Sequence, residues 1–136
     1  MVATTRHSCP PAVLVVEDDP DVRAVLALLL AQEGYSVLEA PTGREALRLV
    51  CKHPALVDVV LLDLGLPDFG GIELCDRLRE LHPRLPVVVC SGQLDLPRVV
   101  RLRELGFRHF FRKPASPEEL LAALEGALSR EGTAGG

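Results

Sequence analysis

Five short apolar runs, each followed by a stretch with helical periodicity, constrain this chain more than any other feature. They are "AVLVV" (residues 12–16), "YSVLEA" (35–40), "LVDVVLLD" (56–63), "LPVVVCS" (85–91) and "GFRHFF" (106–111). The first, third and fourth are unbroken and rich in Val and Leu. Central strands of a parallel sheet need that composition, because helices cover both of their faces. The second and fifth admit polar residues and belong nearer the sheet edges.

The intervening segments carry helix signals. Asp19 reads as an N-cap with Pro20 at the first helical position, and Gly34 closes that helix. Val22, Val25, Leu26 and Leu29 form its expected apolar face. "TGRE" and "SPEE" have capping-box spacing and open the second and fifth helices. Gly71 leads into Ile72, Leu74, Cys75, Leu78 and Leu81, with Pro83 beyond the end, and a fourth helix is expected over residues 96–105. The repeated βα order predicts one α/β domain, a parallel five-stranded sheet with helices on both faces, over residues 12–130. Residues 1–11 and 131–136 are expected to be disordered tails.

Bulk properties exclude several classes. With 136 residues, 48% apolar and 25% charged, the chain suits one soluble domain with its own core. No apolar run nears the ~18 residues of a membrane span, and the first residues carry no secretory signal, so a cytoplasmic location is the default. A net charge of −4 speaks against direct nucleic-acid binding. "RVVRLRELGFRHFFRK" is the most basic stretch, but its charges interleave with apolar residues as on the wet side of a helix and strand. Cys9, Cys51, Cys75 and Cys90 form no C-x-x-C pair and match no zinc spacing, so reduced thiols are expected. His7 and Cys9 fall in the N-terminal tail.

Ligands of such folds bind beyond the C-terminal ends of the strands, where the strand order reverses. The residues at those ends are Glu17, Asp18 and Asp19, then Asp63, then Ser91, then Arg112, Lys113 and Pro114. Each has an ordinary explanation. Glu17 and Asp18 could be first-turn acids complementing a helix dipole, Asp63 a loop cap, Ser91 a turn residue and Lys113 a surface lysine. Together they suggest more. Carboxylates sharing one edge repel unless a hard cation joins them, and Mg2+ is the cation that binds through one or two carboxylates plus a phosphate. A lysine and a hydroxyl alongside suit an incoming phosphoryl group, and a carboxylate can accept one covalently.

The motifs "VLVVEDDPDVR", "VVLLDLGLPDFGG", "VVVCSG" and "FFRKP", in this order, resemble the receiver domain of bacterial two-component response regulators, across roughly residues 12–130. The resemblance implies a flavodoxin-like doubly wound (βα)5 sandwich of three layers. It implies that Asp63 accepts a phosphoryl group from a histidine kinase or phosphotransfer protein. Glu17, Asp18, Asp63 and the Gly65 carbonyl would hold Mg2+. Ser91 would be the switch hydroxyl, Lys113 the phosphoryl-pairing lysine, Phe110 the aromatic switch residue, and the Lys113–Pro114 bond would be cis. Phosphorylation would shift a two-state equilibrium and change the surface of the fourth and fifth units, read by a protein target, with the chain a monomer or a phosphorylation-dependent dimer. Kinase specificity would lie on the first helix, around Val22, Leu26 and Leu29.

This chain departs from the pattern at several positions. Gly70 stands where many relatives have aspartate, implying a looser third-helix start. Ala115 replaces a common phenylalanine, and Phe110 lacks a tyrosine hydroxyl. Gly65 and Gln93 flank the pocket, and the missing side chain at Gly65 implies water access and no unusually long-lived phosphoryl state. An aspartate-nucleophile phosphatase would need an acid two positions after Asp63, where Gly65 stands. A stand-alone regulator without an output domain is the first expectation. The alternatives are a receiver excised from a hybrid kinase or larger regulator, and an unphosphorylated pseudo-receiver that only binds partners. The intact set of Glu17, Asp18, Asp63, Ser91 and Lys113 argues against the last.

Overall fold

In the computed structural model, which describes residues 10–66, 68, 70–92, 94–113 and 115–134 (backbone only from residue 130), the five apolar runs join in one sheet. The chain order is β1 (Ala12–Val16), α1 (Pro20–Gln32), β2 (Ser36–Ala40), α2 (Gly43–Lys52), β3 (Val59–Leu62), α3 (Gly71–Leu81), β4 (Val87–Ser91), α4 (Leu96–Glu104), β5 (His109–Arg112) and α5 (Pro117–Ala134). All neighbouring strands are parallel, in the order β2-β1-β3-β4-β5. The apolar composition of the runs sorts them as expected. Every residue of β1 and β3 is buried, whereas β2 and β5 lie at the edges and are mostly half-exposed.

Successive side chains of a strand point to opposite faces, so the unbroken runs feed two cores at once. Leu14, Val16, Val60, Leu62, Val87 and Val89 pack with Ala46, Val50, Leu74, Cys75, Leu78 and Leu102 of α2, α3 and α4. Val13, Val15, Val59, Leu61 and Val88 pack with Leu30, Leu120, Leu124 and Ala127 of α1 and α5. The result is a parallel sheet with helices on both faces, as the pattern predicts, and the three-layer doubly wound sandwich that the resemblance implies. The chain leaves β1 for β2 on one side and returns to β3 on the other. The ends of β1 and β3 therefore flank the switch point.

The caps follow the sequence signals. Asp19 accepts from the Asp21 and Val22 amides at 2.9 and 3.3 Å, and Thr42 Oγ1 accepts from the Glu45 amide at 3.1 Å. At α5 the box is reciprocal: Ser116 Oγ accepts from the Glu119 amide at 3.1 Å, and Glu119 accepts from the Ser116 amide at 2.9 Å. Gly34 and Gly106 take φ of +94° and +91°, the left-handed turn that ends α1 and α4.

Several boundaries differ from the sequence expectation. β3 begins at Val59, because Leu56 lies in the turn after α2 and the Asp58 carboxylate accepts from the Ala12 amide at 2.7 Å. β5 begins at His109, because Gly106 and Phe107 close α4, the Phe107 amide donating to Leu102 O at 2.9 Å. Val25 is 66% exposed, since it lies about 100° around the helix from Leu26 and Leu30 takes the inward position. Leu81, in the last turn of α3, is 47% exposed. α5 continues to Ala134, past the expected domain end at residue 130. His7, Cys9, Gln93 and Pro114, and the isomer of the Lys113–Pro114 bond, lie outside the described residues.

Candidate functional site: an acidic pocket at the strand ends

β1 ends at Val16, so Glu17 and Asp18 leave the sheet where β1 and β3 lie side by side. Glu17 stays buried at 4% exposure, held by its own amide donating to Ala40 O at 3.1 Å. Asp18 is exposed. Asp19 is not part of the cluster, since its carboxylate is engaged in the α1 cap. Asp63 follows the last residue of β3, its amide donating to Val16 O at 3.2 Å, which fixes it beside the end of β1. Glu17, Asp18 and Asp63 each offer a carboxylate oxygen within 4.8 Å of the other two. That spacing lets one hard cation bridge all three.

Lys113 supplies the opposing charge. β5 ends at Arg112, and the Lys113 amide donates to Ser91 O at 3.0 Å, aligning the lysine with the end of β4. Its Nζ donates to Asp63 Oδ2 at 3.1 Å and to Glu17 Oε1 at 3.2 Å. Burial disfavours the ammonium, but the Asp63 and Glu17 carboxylates more than offset this and hold the lysine above its ordinary value. Burial is also the largest influence on Glu17, raising its carboxyl above the usual range. The Asp63 charge adds to the rise, while the Asp19 amide and Lys113 oppose it.

The other expected site residues lie around this core. Ser91 is fully buried at the end of β4. Gly65 is exposed in the β3–α3 loop, its amide donating to Asp63 Oδ1 at 3.2 Å. Phe110 is half-buried on β5, three residues before Lys113, and packs on the α2–α3–α4 core. Beside the charges, Val15, Val22, Leu26, Leu61, Cys90, Ala115 and others line a mainly apolar cavity of about 290 Å³ between α1 and α5.

The chain and its fold match known proteins. The model of the response regulator receiver domain matches residues 13–125. The chain belongs to that family. It is 40% identical over 118 residues to the transcriptional regulatory protein KdpE of Mycobacterium tuberculosis, covering 87% of this chain and 51% of the relative. It is 33% identical over 122 residues to the phosphate regulon transcriptional regulatory protein PhoB of Pseudomonas aeruginosa, covering 88% and 52%. The chain thus spans about half the length of these relatives. A CheY-like response regulator receiver domain protein from Methanospirillum hungatei superposes with a TM-score of 0.87 at 26% identity, over 92% of this chain and 98% of that one. The receiver-domain reading and its doubly wound fold are thereby established. Among the described residues, no helix is long and apolar enough to cross a membrane.

Three residues that tie one element to another escaped sequence reasoning. Arg23 packs against the β1–α1 loop, donating from Nη1 to Glu17 O at 2.9 Å. Asp68 accepts from the Gly43 and Arg44 amides at 3.0 and 2.9 Å, tying the β3–α3 loop to the start of α2. Arg103 places its guanidinium 5.6 Å from the centre of the Phe110 ring. None lies at a strand end. Arg23 is the last residue of the "EDDPDVR" motif and Asp68 lies inside "VVLLDLGLPDFGG", so for these two membership of a motif was the available signal.

Proposed function

We propose that this receiver domain takes a phosphoryl group onto Asp63 and uses it to change a protein-binding surface. The observation that carries this reading is the Asp63 carboxylate at the switch point, inside a three-carboxylate cluster and 3.1 Å from Lys113 Nζ. An Asp63 oxygen attacks the phosphorus of a phosphohistidine on a histidine kinase or phosphotransfer protein. The P–N bond breaks, and the imidazole leaves with that electron pair and takes up a proton. The aspartyl phosphate is reset when water displaces the phosphoryl as inorganic phosphate.

Glu17, Asp18 and Asp63, with the Gly65 carbonyl, would hold Mg2+, and the donor set of clustered carboxylates suits it. When bound, that ion would neutralise the acidic cluster and the phosphoryl oxygens. Lys113 is already at the oxygen of Asp63 and can follow the charge onto the phosphoryl group. Ser91, one strand over, offers its hydroxyl to the same oxygens, and Phe110 answers by packing. The chain is a phosphoryl-accepting switch rather than a turnover enzyme, working in the cytoplasm. The named relatives are transcriptional regulators, so an effector that controls transcription is the class of target the comparison favours.

Incubation with acetyl phosphate and Mg2+, read by intact mass, tests the assignment. The expected result is a gain of one phosphoryl group that is labile to hydroxylamine, requires Mg2+ and disappears in Asp63→Asn. Unmodified wild-type protein, together with no response to beryllium fluoride, overturns it.

A further inference from the structure

Arg23 reaches back from the first turn of α1 to the loop that presents Glu17 and Asp18. Its Nη1 donates to Glu17 O at 2.9 Å and lies 3.5 Å from Asp18 O, while its Nε donates to Glu39 Oε1 on β2 at 3.1 Å. The side chain is only 18% exposed. One planar fork therefore joins the loop backbone to the neighbouring strand, a geometry that an ammonium on a flexible stem does not reproduce.

The loop needs such a brace. Three carboxylates whose oxygens lie within 4.8 Å repel one another, and Asp18 is exposed, with the freest path away from its neighbours. The two carbonyls bound by Arg23 belong to the residues that carry two of the three carboxylates. Fixing those peptide units fixes where the side chains begin.

We infer that Arg23 is a positioning residue for the Mg2+ site, acting through the Glu17 and Asp18 backbone and anchored by Glu39. This rests on the magnesium reading of the acidic cluster. Charge and position have opposite signs here. A cation behind the loop repels Mg2+, so losing the charge alone would tighten Mg2+ binding. Losing the brace lets the carboxylates spread and weakens it.

Calorimetric Mg2+ titrations of the full chain, as wild type, Arg23→Met, Arg23→Lys and Glu39→Gln, separate the two. Arg23→Lys, which keeps the charge and loses the fork, should bind Mg2+ about tenfold more weakly, at the lower end of what loss of an outer-shell partner does to metal affinity. Arg23→Met should also bind more weakly but by less, because the lost charge offsets part of the lost brace. Glu39→Gln keeps an acceptor for Nε and should lose less. Arg23→Lys retains the charge and keeps the test open if Arg23→Met unfolds, and metal-free thermal melts identify that case. Unchanged or tighter binding in a folded Arg23 variant overturns the role of Arg23 alone. A wild type that binds no Mg2+ overturns both it and the magnesium reading.

Discussion

Lys113 Nζ sits between two carboxylates, 3.1 Å from Asp63 Oδ2 and 3.2 Å from Glu17 Oε1. The lysine thus holds in place, before any phosphoryl group arrives, the charges that the proposed chemistry uses. It also competes with a cation for those oxygens. In Lys113→Met the carboxylates lose their internal counter-ion. Metal-free stability should fall by about 1 kcal/mol, a modest figure because the lysine is partly exposed. Mg2+ should bind more tightly by on the order of tenfold, one unit charge fewer facing a divalent ion across partly wet protein. Phosphorylation by acetyl phosphate should slow despite the tighter metal site. Urea melts, calorimetry and intact mass read the three effects, and weaker Mg2+ binding would contradict the competition.

Gly71 begins α3 under the β3–α3 loop, and its amide donates to Leu64 O at 3.1 Å. A Cβ there would overlap Leu64 Cα and come 2.6 Å from the Leu64 carbonyl oxygen. Both are backbone atoms of the residue after Asp63 and cannot rotate aside. Gly71→Ala should cost about 3 kcal/mol, at the upper end of overpacking penalties, and should disturb the Asp63 loop. Gly70→Ala is the control, since a Cβ there meets nothing within 4 Å. Equal melting temperatures for the two variants would remove the steric argument.

Which strands are central and which lie at the edges, and the placement of Glu17, Asp18, Asp63 and Lys113, were legible because both depend on period. An apolar run fixes a central strand, and the residue after it falls at the sheet's ligand edge. Caps were legible for a similar reason, being local in sequence. What stayed hidden depends on long side chains crossing between elements. Arg23 to Glu39, Asp68 to the start of α2, and Arg103 over Phe110 span 16, 24 or 25, and 7 residues without a shared periodicity. The exposure of Val25 was misjudged because it depends on which part of α1 faces the sheet, and composition leaves that angle open.

Asp68 does for its loop what the absent acid at position 70 does not. Gly70 makes no side-chain cap on α3, whereas Asp68 takes the first two free amides of α2, Gly43 and Arg44, at 3.0 and 2.9 Å. Asp68→Ala should cost about 1 kcal/mol, as loss of a helix cap does. Amide hydrogen exchange should accelerate at Gly43 and Arg44, with the rest of α2 little changed. Uniform acceleration along α2 would instead mean global destabilisation.

Ser91 is fully buried, and its carbonyl rather than its hydroxyl receives the Lys113 amide. Ser91→Ala should therefore keep the fold, the lysine position and phosphorylation at Asp63. It should lose the response that follows. With beryllium fluoride and Mg2+, the Phe110 ring resonances of the wild type should shift as its packing against Arg103 changes, and those of Ser91→Ala should shift far less. Equal shifts in the two proteins would take Ser91 out of the switch.

Glu17 gives the domain an unusual acid-side pH dependence. Burial chiefly raises its carboxyl above the ordinary value of 4.5. In the window just above 4.5 the native protein therefore holds a proton that the unfolded chain has released. Native binding of more protons makes stability fall as pH rises through that window, opposite to the usual salt-bridged carboxylate. Glu17→Gln removes the titration, so the stability of wild type relative to the variant should decline as pH rises. Lys113 acts at the other end. Its raised value means that its pairing stabilises the fold below its ordinary value of 10.5, and this is lost as pH climbs through the elevated native one. Urea melts in metal-free buffer, from the acid side of the Glu17 window to neutrality and again in alkali, measure both. A wild-type advantage over Glu17→Gln that grows with pH on the acid side would reverse the assignment.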